Sequence, residues 1–385
     1  MRVAGVDVCV EELLLSNFLS FREARVGLGK LNVFVGPNAS GKSNLVKAIR
    51  LLSSVPRFGV PALPGYGGFK DIVFGFDVTR EVRVGTRLRV GGRRVTYVLR
   101  LLSGDYFEEA FIDGEAALES RGSSNVARIL TEDGLKEFGK PPSPSAPPSA
   151  IYSGVWASAL SALPSNAVRE LHVLAEVLEG AGTYSFTPKD LRSRVPVTAP
   201  PRLDYHGSNL GRAVLHLYLE DRQAFRAVED AVKALVPEVE EVVPHIEGSD
   251  VEVWLRVKGL PNPLRPSNVS DGTLRMLAFA VALHSCRGLV AVEEPENCVH
   301  PHLLEALTHL ARNSPCQVLM TTHSPHLLDH LSPEEVYVVS KYGTESRVVR
   351  LVESSDVEAV KKFLEEGGTL GKAWYSGIIT EQAKP

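Results

Sequence analysis

Gly36-Pro37-Asn38-Ala39-Ser40-Gly41-Lys42-Ser43, followed by Asn44, has the spacing GxxxxGK[ST]. Glycines at those positions let the chain wrap until successive backbone N–H groups face one phosphate, and a helix starting there adds a favourable dipole. At its end Lys42 would reach the β- and γ-phosphates of a nucleotide, and the Ser43 hydroxyl would ligand Mg²⁺. A glycine turn that merely caps a helix is the bland alternative. The flanks argue against it: LNVFV reads as a strand running into the loop, and Leu45, Val46, Ile49 and Leu52 share one face of a helix from Ser43 to about Leu52.

A second set of groups lies far along the chain. Leu289-Val-Ala-Val-Glu293-Glu294-Pro295 is an apolar run ending in two adjacent carboxylates, the place where an α/β sheet presents ligands. Such neighbours repel unless a cation lies close, so Glu293 is expected to hold Mg²⁺ through water, and Glu294 to polarise the attacking water. About twenty residues earlier, Ser270-Asp271-Gly272 opens an apolar helix, with Ser270 as N-cap and Gly272 permitting close backbone approach to an anion. Met320-Thr-Thr-His323 ends the next strand, where a histidine can hydrogen-bond a γ-phosphate or orient water.

These groups need a scaffold, and the chain is long enough to build one. It has 385 residues, 44% hydrophobic and 23% charged, which suits two to three domains' worth of packed core. Lys plus Arg number 42 against 46 acids, a formal charge of −4, so contact with a polyanion would have to be local. Four cysteines without CxxC spacing predict a reduced protein. The absence of a long apolar run and the early acids in MRVAGVDVCVEELLL predict a cytoplasmic one with no membrane segment.

Residues 10–36 read as two strands, ELLLSNFLSF and LNVFVG, and 72–111 as an antiparallel meander turning at Gly85, Gly91-Gly92 and Gly104-Asp105. KPPSPSAPPSA, 140–150, reads as a loop or tether. Helical spacing recurs at Ala167–Leu178, Leu210–Leu219 and Ala224–Leu235. From Asn268 the texture is βα alternation: helix 271–285, strand 288–292, helix 301–312, strand 316–321, helix 325–331, strand 335–339. LVAV and QVLM lack polar alternation, as parallel strands covered on both faces do.

The order phosphate loop, SDG signature, apolar strand with paired acids, THS strand end resembles the ABC-type ATPase superfamily, in its RecF/SMC/OLD-like branch. LSNFLSFREARVGLGKLNVFVGPNASGKSN resembles that branch's N-terminal lobe. TYSFTPKDLR, LDYHGSNLGRAVLHL, VSDGTLRMLAFA, VEEPENCVHPHLLEAL, VLMTTHSPHLLDHL and GTLGKAWYSGII resemble successive segments of predicted AAA or RecF-like ATPases. The resemblance implies an α/β P-loop ATPase head with a mixed, mainly parallel sheet, an antiparallel β-lobe and a helical signature subdomain. It divides the chain into 1–115 (β-lobe and phosphate loop), a mostly helical 116–255 and 256–385, which completes the same core. It also implies ATP and Mg²⁺ as ligands and a homodimer sandwiching two ATP molecules. There Ser270–Gly272 of one copy would touch the γ-phosphate at Lys42 of the other, with Asn297–Pro301 passing between the sites.

Three departures stand out. Glu293 occupies a position where Asp is commoner in that branch, the signature reads VSDG and lacks LSGGQ, and of Gln223, Gln317 and Gln382 only Gln223 lies between the phosphate loop and the signature, close to the latter, so no Q-loop residue is assigned. Asp71, in GGFKDIVFG, lies in a plausible region for that residue.

Arg80, Arg83, Arg87, Arg89, Arg93, Arg94 and Arg100 place seven arginines in twenty-one residues against Glu81 alone, a row that would suit a DNA backbone. A solvated sheet face is the alternative. His323, His326 and His330 invite zinc, but no HExxH or cysteine supports it. Only 62 residues follow His323, with no DxD pair, so no Toprim nuclease is expected and any cleavage falls to a separately encoded effector. The expected function is thus an ATP-driven switch in DNA maintenance or anti-phage defence, with an ATP-gated scaffold as the alternative and a transporter ATPase a distant third.

Overall fold

In the structure, a computed structural model, residues 2–3, 5–58, 66–141 and 157–379 are described. The Pro-rich segment 142–150 lies outside the described residues, so the tether expected there is not among the elements below.

The centre is a six-stranded sheet in the order Gly182–Tyr184, Leu289–Glu293, Gln317–Thr322, Leu31–Val35, Val336–Tyr342, Glu345–Arg350. The first five are parallel and the last is antiparallel. Because side chains alternate across a strand, each parallel strand feeds two cores. Phe34, Ala291, Leu319 and Val339 face one, with the phosphate-loop helix Lys42–Phe58 and the helix Arg169–Gly180. Val33, Val35, Val290, Val292, Val318 and Met320 face the other, with the helices Leu210–Glu220, Arg222–Leu235 and Asp271–His284. The continuous apolar runs of the sequence are this two-sided burial.

Beside it, a nine-stranded antiparallel sheet forms the β-lobe. Its long first strand, Val6–Phe18, pairs with both Phe21–Gly27 and Val82–Val90. The stretch read as one strand, ELLLSNFLSF, therefore folds back at Leu19-Ser20, with Asn17 and Leu19 at positive φ (51° and 52°). Gly85 is not a turn: it sits within Val82–Val90 opposite Val98, where a Cβ would press on the Tyr97 carbonyl at 2.5 Å. The meander also runs beyond Phe111. Glu115–Arg121, Val126–Thr131 and Gly134–Gly139 add three more strands, and Val195–Pro196, Val239–Glu247 and Asp250–Val257 form a third sheet. The segment 116–255 is accordingly mixed, not mostly helical. Val126–Thr131 alternates buried with more exposed residues and Gly134–Gly139 has no buried residue, a weak signal next to the amphipathic helices around them.

Buried Gln317 stitches the two sheets together. Its Oε1 accepts from Val10 N–H at 2.6 Å, and its Nε2 donates to the carbonyls of Val10 and Gly29, both at 2.9 Å. The expectation of four free thiols does not hold either. Cys286, just after the signature helix, is joined to Cys316, just before the strand Gln317–Thr322, with their Cα atoms 6.4 Å apart. Cys9 and Cys298 are free and exposed. No helix among the described residues is long and apolar enough to cross a membrane.

Candidate nucleotide site

Three neighbouring parallel strands, Leu31–Val35, Leu289–Glu293 and Gln317–Thr322, end on the same side of the sheet and deliver their loops to one place. The Gly36–Ser43 loop is shaped by Ala39 and Gly41, both at positive φ (62° and 111°). Its outer wall is closed by backbone and serines: a Cβ on Gly36 would run into the Val339 carbonyl, and one on Gly41 into the Ser346 hydroxyl. Only glycine fits at both. Ser346 Oγ donates to the Ser40 carbonyl at 2.5 Å, and Asn44 Nδ2 donates to Ser20 Oγ at 2.7 Å, so the loop is held from behind before any ligand arrives. Pro37 and Asn38 complete the turn, and Ser40 donates its N–H to the Pro37 carbonyl at 3.3 Å.

Lys42 is buried, and its Nζ donates to the carbonyls of Gly36 and Pro37 at 2.8 and 2.9 Å. Burial lowers its pKa to about 8, against the opposing pull of Glu294, Glu293 and Glu296. Ser43 Oγ donates to Glu293 Oε2 at 2.5 Å, although the two lie 250 residues apart in sequence.

Glu294 leaves the strand in a left-handed conformation, φ 44°, which costs about 1–3 kcal/mol in a residue other than glycine and recurs at working sites. Its N–H donates to the Thr321 carbonyl at 3.0 Å. Asn297 Nδ2 donates to its Oε2 at 2.7 Å, and His323 Nε2 lies 3.3 Å from its Oε1. His323 titrates below its usual value because of burial and the Lys42 charge, while Glu294 and a hydrogen bond to the Gly36 carbonyl oppose that shift.

Ser270 caps the helix Asp271–His284, accepting from Thr273 N–H at 3.1 Å, and Ser270 and Asp271 are exposed. Gly272 lies against Cys298 of the Asn297–Pro301 segment, where a Cβ would meet the Cys298 carbonyl at 2.5 Å. Asp71 lies on the short helix Phe69–Ile72 with its carboxylate against Gly67, not among the groups above. Among the described residues no group of three His, Cys, Asp or Glu side chains gathers as a metal cage, His326 and His330 included.

Three further side chains contribute that no motif marks. Tyr205 Oη donates to Glu293 Oε1 at 2.5 Å. Glu296 is buried; its Oε1 accepts from the Thr322 hydroxyl, its Oε2 has no partner, and burial raises its pKa. Arg192 pairs with Asp271 at 2.7 Å and donates to the carbonyls of Val269, Pro266 and Pro188 at 2.8, 3.1 and 3.0 Å, so it holds the signature turn. All three lie inside segments that the resemblance covers, but a lone Tyr, Glu or Arg there has no spacing that marks a partner.

The arginine row is a correction of charge, not of place. Arg87 pairs with Glu12 at 2.6 Å, Arg89 with Glu11 at 2.5 Å, Arg93 with Asp113 and Glu170 at 2.8 and 2.9 Å, and Arg100 with Glu81 and Glu109 at 2.8 and 2.7 Å. Arg80 pairs with Asp77 at 2.9 Å, Arg83 with Glu81, and Arg94 lies 4.0 Å from Glu11. The acids come mostly from neighbouring strands, outside the window in which only Glu81 was visible. The face is a mixed-charge lattice.

The donor set fits a Mg–nucleotide: a backbone cradle, a buried lysine, and a hydroxyl already against a carboxylate. No curated protein matches the sequence. The fold is similar to solved structures of SMC heads. One, the SmcHead bound to the C-winged helix domain of ScpA, is 14% identical with a TM-score of 0.54, covering 88% of this chain and 97% of that one. Another, the Smc head with an extended coiled coil bound to the C-terminal domain of ScpA, derived from Pyrococcus furiosus, is 13% identical with a TM-score of 0.54, covering 94% and 99%. Residues 31–329 match the family described as "AAA domain, putative AbiEii toxin, Type IV TA system". The chain belongs to that AAA-domain family, and its fold is that of the SMC heads.

Proposed function

We propose that this chain binds and hydrolyses ATP with Mg²⁺, and that ATP-dependent pairing of two copies works as a switch. The Ser43–Glu293 contact of 2.5 Å carries this reading: it brings together the hydroxyl and carboxylate that metal binding needs. Lys42 and the amides of Gly36–Asn44 hold the phosphates, and Ser43 and Glu293 hold the metal, which when bound neutralises phosphate charge. Glu294, aimed by Asn297 and His323, takes the proton of the attacking water. His323 hydrogen-bonds the γ-phosphate. The exposed Ser270–Gly272 turn meets the γ-phosphate held by the other copy, a role supported by its capped helix N-terminus.

The setting we propose is the cytoplasm, in anti-phage defence or DNA maintenance with a separately encoded nuclease or other effector. The toxin–antitoxin wording of the family description supports the defence side. A second reading, an ATP-gated scaffold without a nucleic-acid role, is favoured by the paired arginines of the β-lobe, which leave little net charge for a phosphate backbone.

The test is light scattering on Glu294→Gln with and without Mg-ATP and duplex DNA. Hydrolysis should fall about 10²–10⁴-fold while ATP still binds. Mass should double with Mg-ATP, and Lys42→Ala should neither bind nor double. Mass that never changes with ATP removes the switch. Salt-sensitive co-elution with DNA, lost on reversing Arg87, Arg89, Arg93 and Arg94, selects the nucleic-acid role; no co-elution selects the scaffold.

A further inference from the structure

Both oxygens of the Glu293 carboxylate are taken, by Ser43 on one side and Tyr205 on the other, each at 2.5 Å. The Tyr205 contact is built by a turn with a dense internal network. Asp204 Oδ1 accepts from the N–H groups of His206, Gly207 and Ser208 at 3.0, 2.6 and 2.9 Å. Asn209 Oδ1 accepts from Asp204 N–H at 2.9 Å, and its Nδ2 donates to the carbonyls of Pro200 and Arg202 at 2.9 and 2.7 Å. Gly207 supplies the positive φ, 80°, that closes the turn. From the opposite side Arg50, on the phosphate-loop helix, lays its guanidinium 4.5 Å from the Tyr205 ring centre. The phenol is thus fixed in two directions, by its own turn and by the helix that bears Lys42 and Ser43.

A glutamate at this strand end has one more rotatable bond than an aspartate, so its carboxylate samples more positions unless something holds it. We infer that Tyr205 is a positioning residue for the metal site. Its hydroxyl holds Glu293 Oε1 and leaves Oε2 turned to Ser43, the side on which Mg²⁺ is to bind. Outer partners of this kind typically change metal affinity 10–100-fold when removed. The inference rests on the nucleotide reading above and adds a residue that the phosphate-loop and acid motifs do not contain.

The experiment titrates Mg²⁺ into full-length protein with a base-labelled, non-hydrolysable ATP analogue and reads binding by fluorescence anisotropy. Tyr205→Phe keeps the ring and the Arg50 stack and removes only the hydroxyl. The Mg²⁺ concentration for half-maximal binding should rise roughly tenfold, while binding in EDTA stays as in wild type. In a Glu293→Ala background the same change should add nothing, because its target is gone. Tyr205→Phe titrating like wild type overturns the inference, as does an equal extra penalty in the Glu293→Ala background, which would mean Tyr205 acts through packing. Wild-type protein that binds no nucleotide at any Mg²⁺ concentration overturns the nucleotide reading itself, so the two failures are distinguishable.

Discussion

Lys42 Nζ is held by the Gly36 carbonyl at 2.8 Å, a neutral acceptor within its own loop. Because no carboxylate among the described residues contacts the ammonium directly, burial dominates and its pKa falls to about 8. The loop therefore keeps a lysine that is cationic only by a small margin at neutral pH, and an arriving phosphate restores the charge preference.

ATP affinity should accordingly depend on pH in a defined direction. Below pH 8 the free protein already carries the Lys42 proton, and binding is at full strength. Above it, binding must take up a proton, so affinity should fall by up to about tenfold per pH unit until the pKa of the bound state is reached. Isothermal titration at pH 7, 8 and 9 in buffers of different ionisation enthalpy reads both the affinity and the proton uptake. A flat affinity with no uptake at pH 9 contradicts a lysine near pKa 8.

Arg192 grips the signature turn through Asp271 and three carbonyls, contacts that need a planar fork. Arg192→Lys should leave ATP binding within about twofold of wild type. It should weaken ATP-dependent pairing of Glu294→Gln by at least roughly tenfold, about 1.4 kcal/mol. Sedimentation velocity across a concentration series measures this. Pairing unchanged by Arg192→Lys would show that the turn keeps its shape without the fork.

The Cys286–Cys316 bond closes a segment with a sequence separation of 30 between the signature helix and the strand leading to His323. Chain-entropy arguments put its contribution at roughly 3–4 kcal/mol. Cys286→Ser, or reductant, should lower the free energy of unfolding from denaturant titration by that amount and so lower the midpoint, and unreduced, denatured protein should titrate two thiols. Four thiols and an unchanged midpoint would mean that the pair is not bonded in solution.

Side chains on one continuous strand–loop–helix unit were legible from sequence because their spacing is their geometry. Gly36 to Asn44, Glu293-Glu294 and His323 each sit at the end of an apolar strand, and parallel strands buried on both faces have to end on a common edge. That alone brings Ser43 to Glu293 and His323 to Glu294. The βα alternation after Asn268 was legible for the same reason.

Tertiary structure decided whatever depends on which strands become neighbours. Seven arginines looked unopposed because Glu11, Glu12, Asp113 and Glu170 lie outside their window, yet sheet pairing and the adjacent helix set those acids beside them. Gly85 looked like a turn until a strand opposite it required close backbone approach. Cys286 found Cys316, and Tyr205 found Glu293, through packing that no local period records. Periodicity reports what a residue does for its own element; a contact across elements depends on the register and stacking of both, and only the folded chain fixes these.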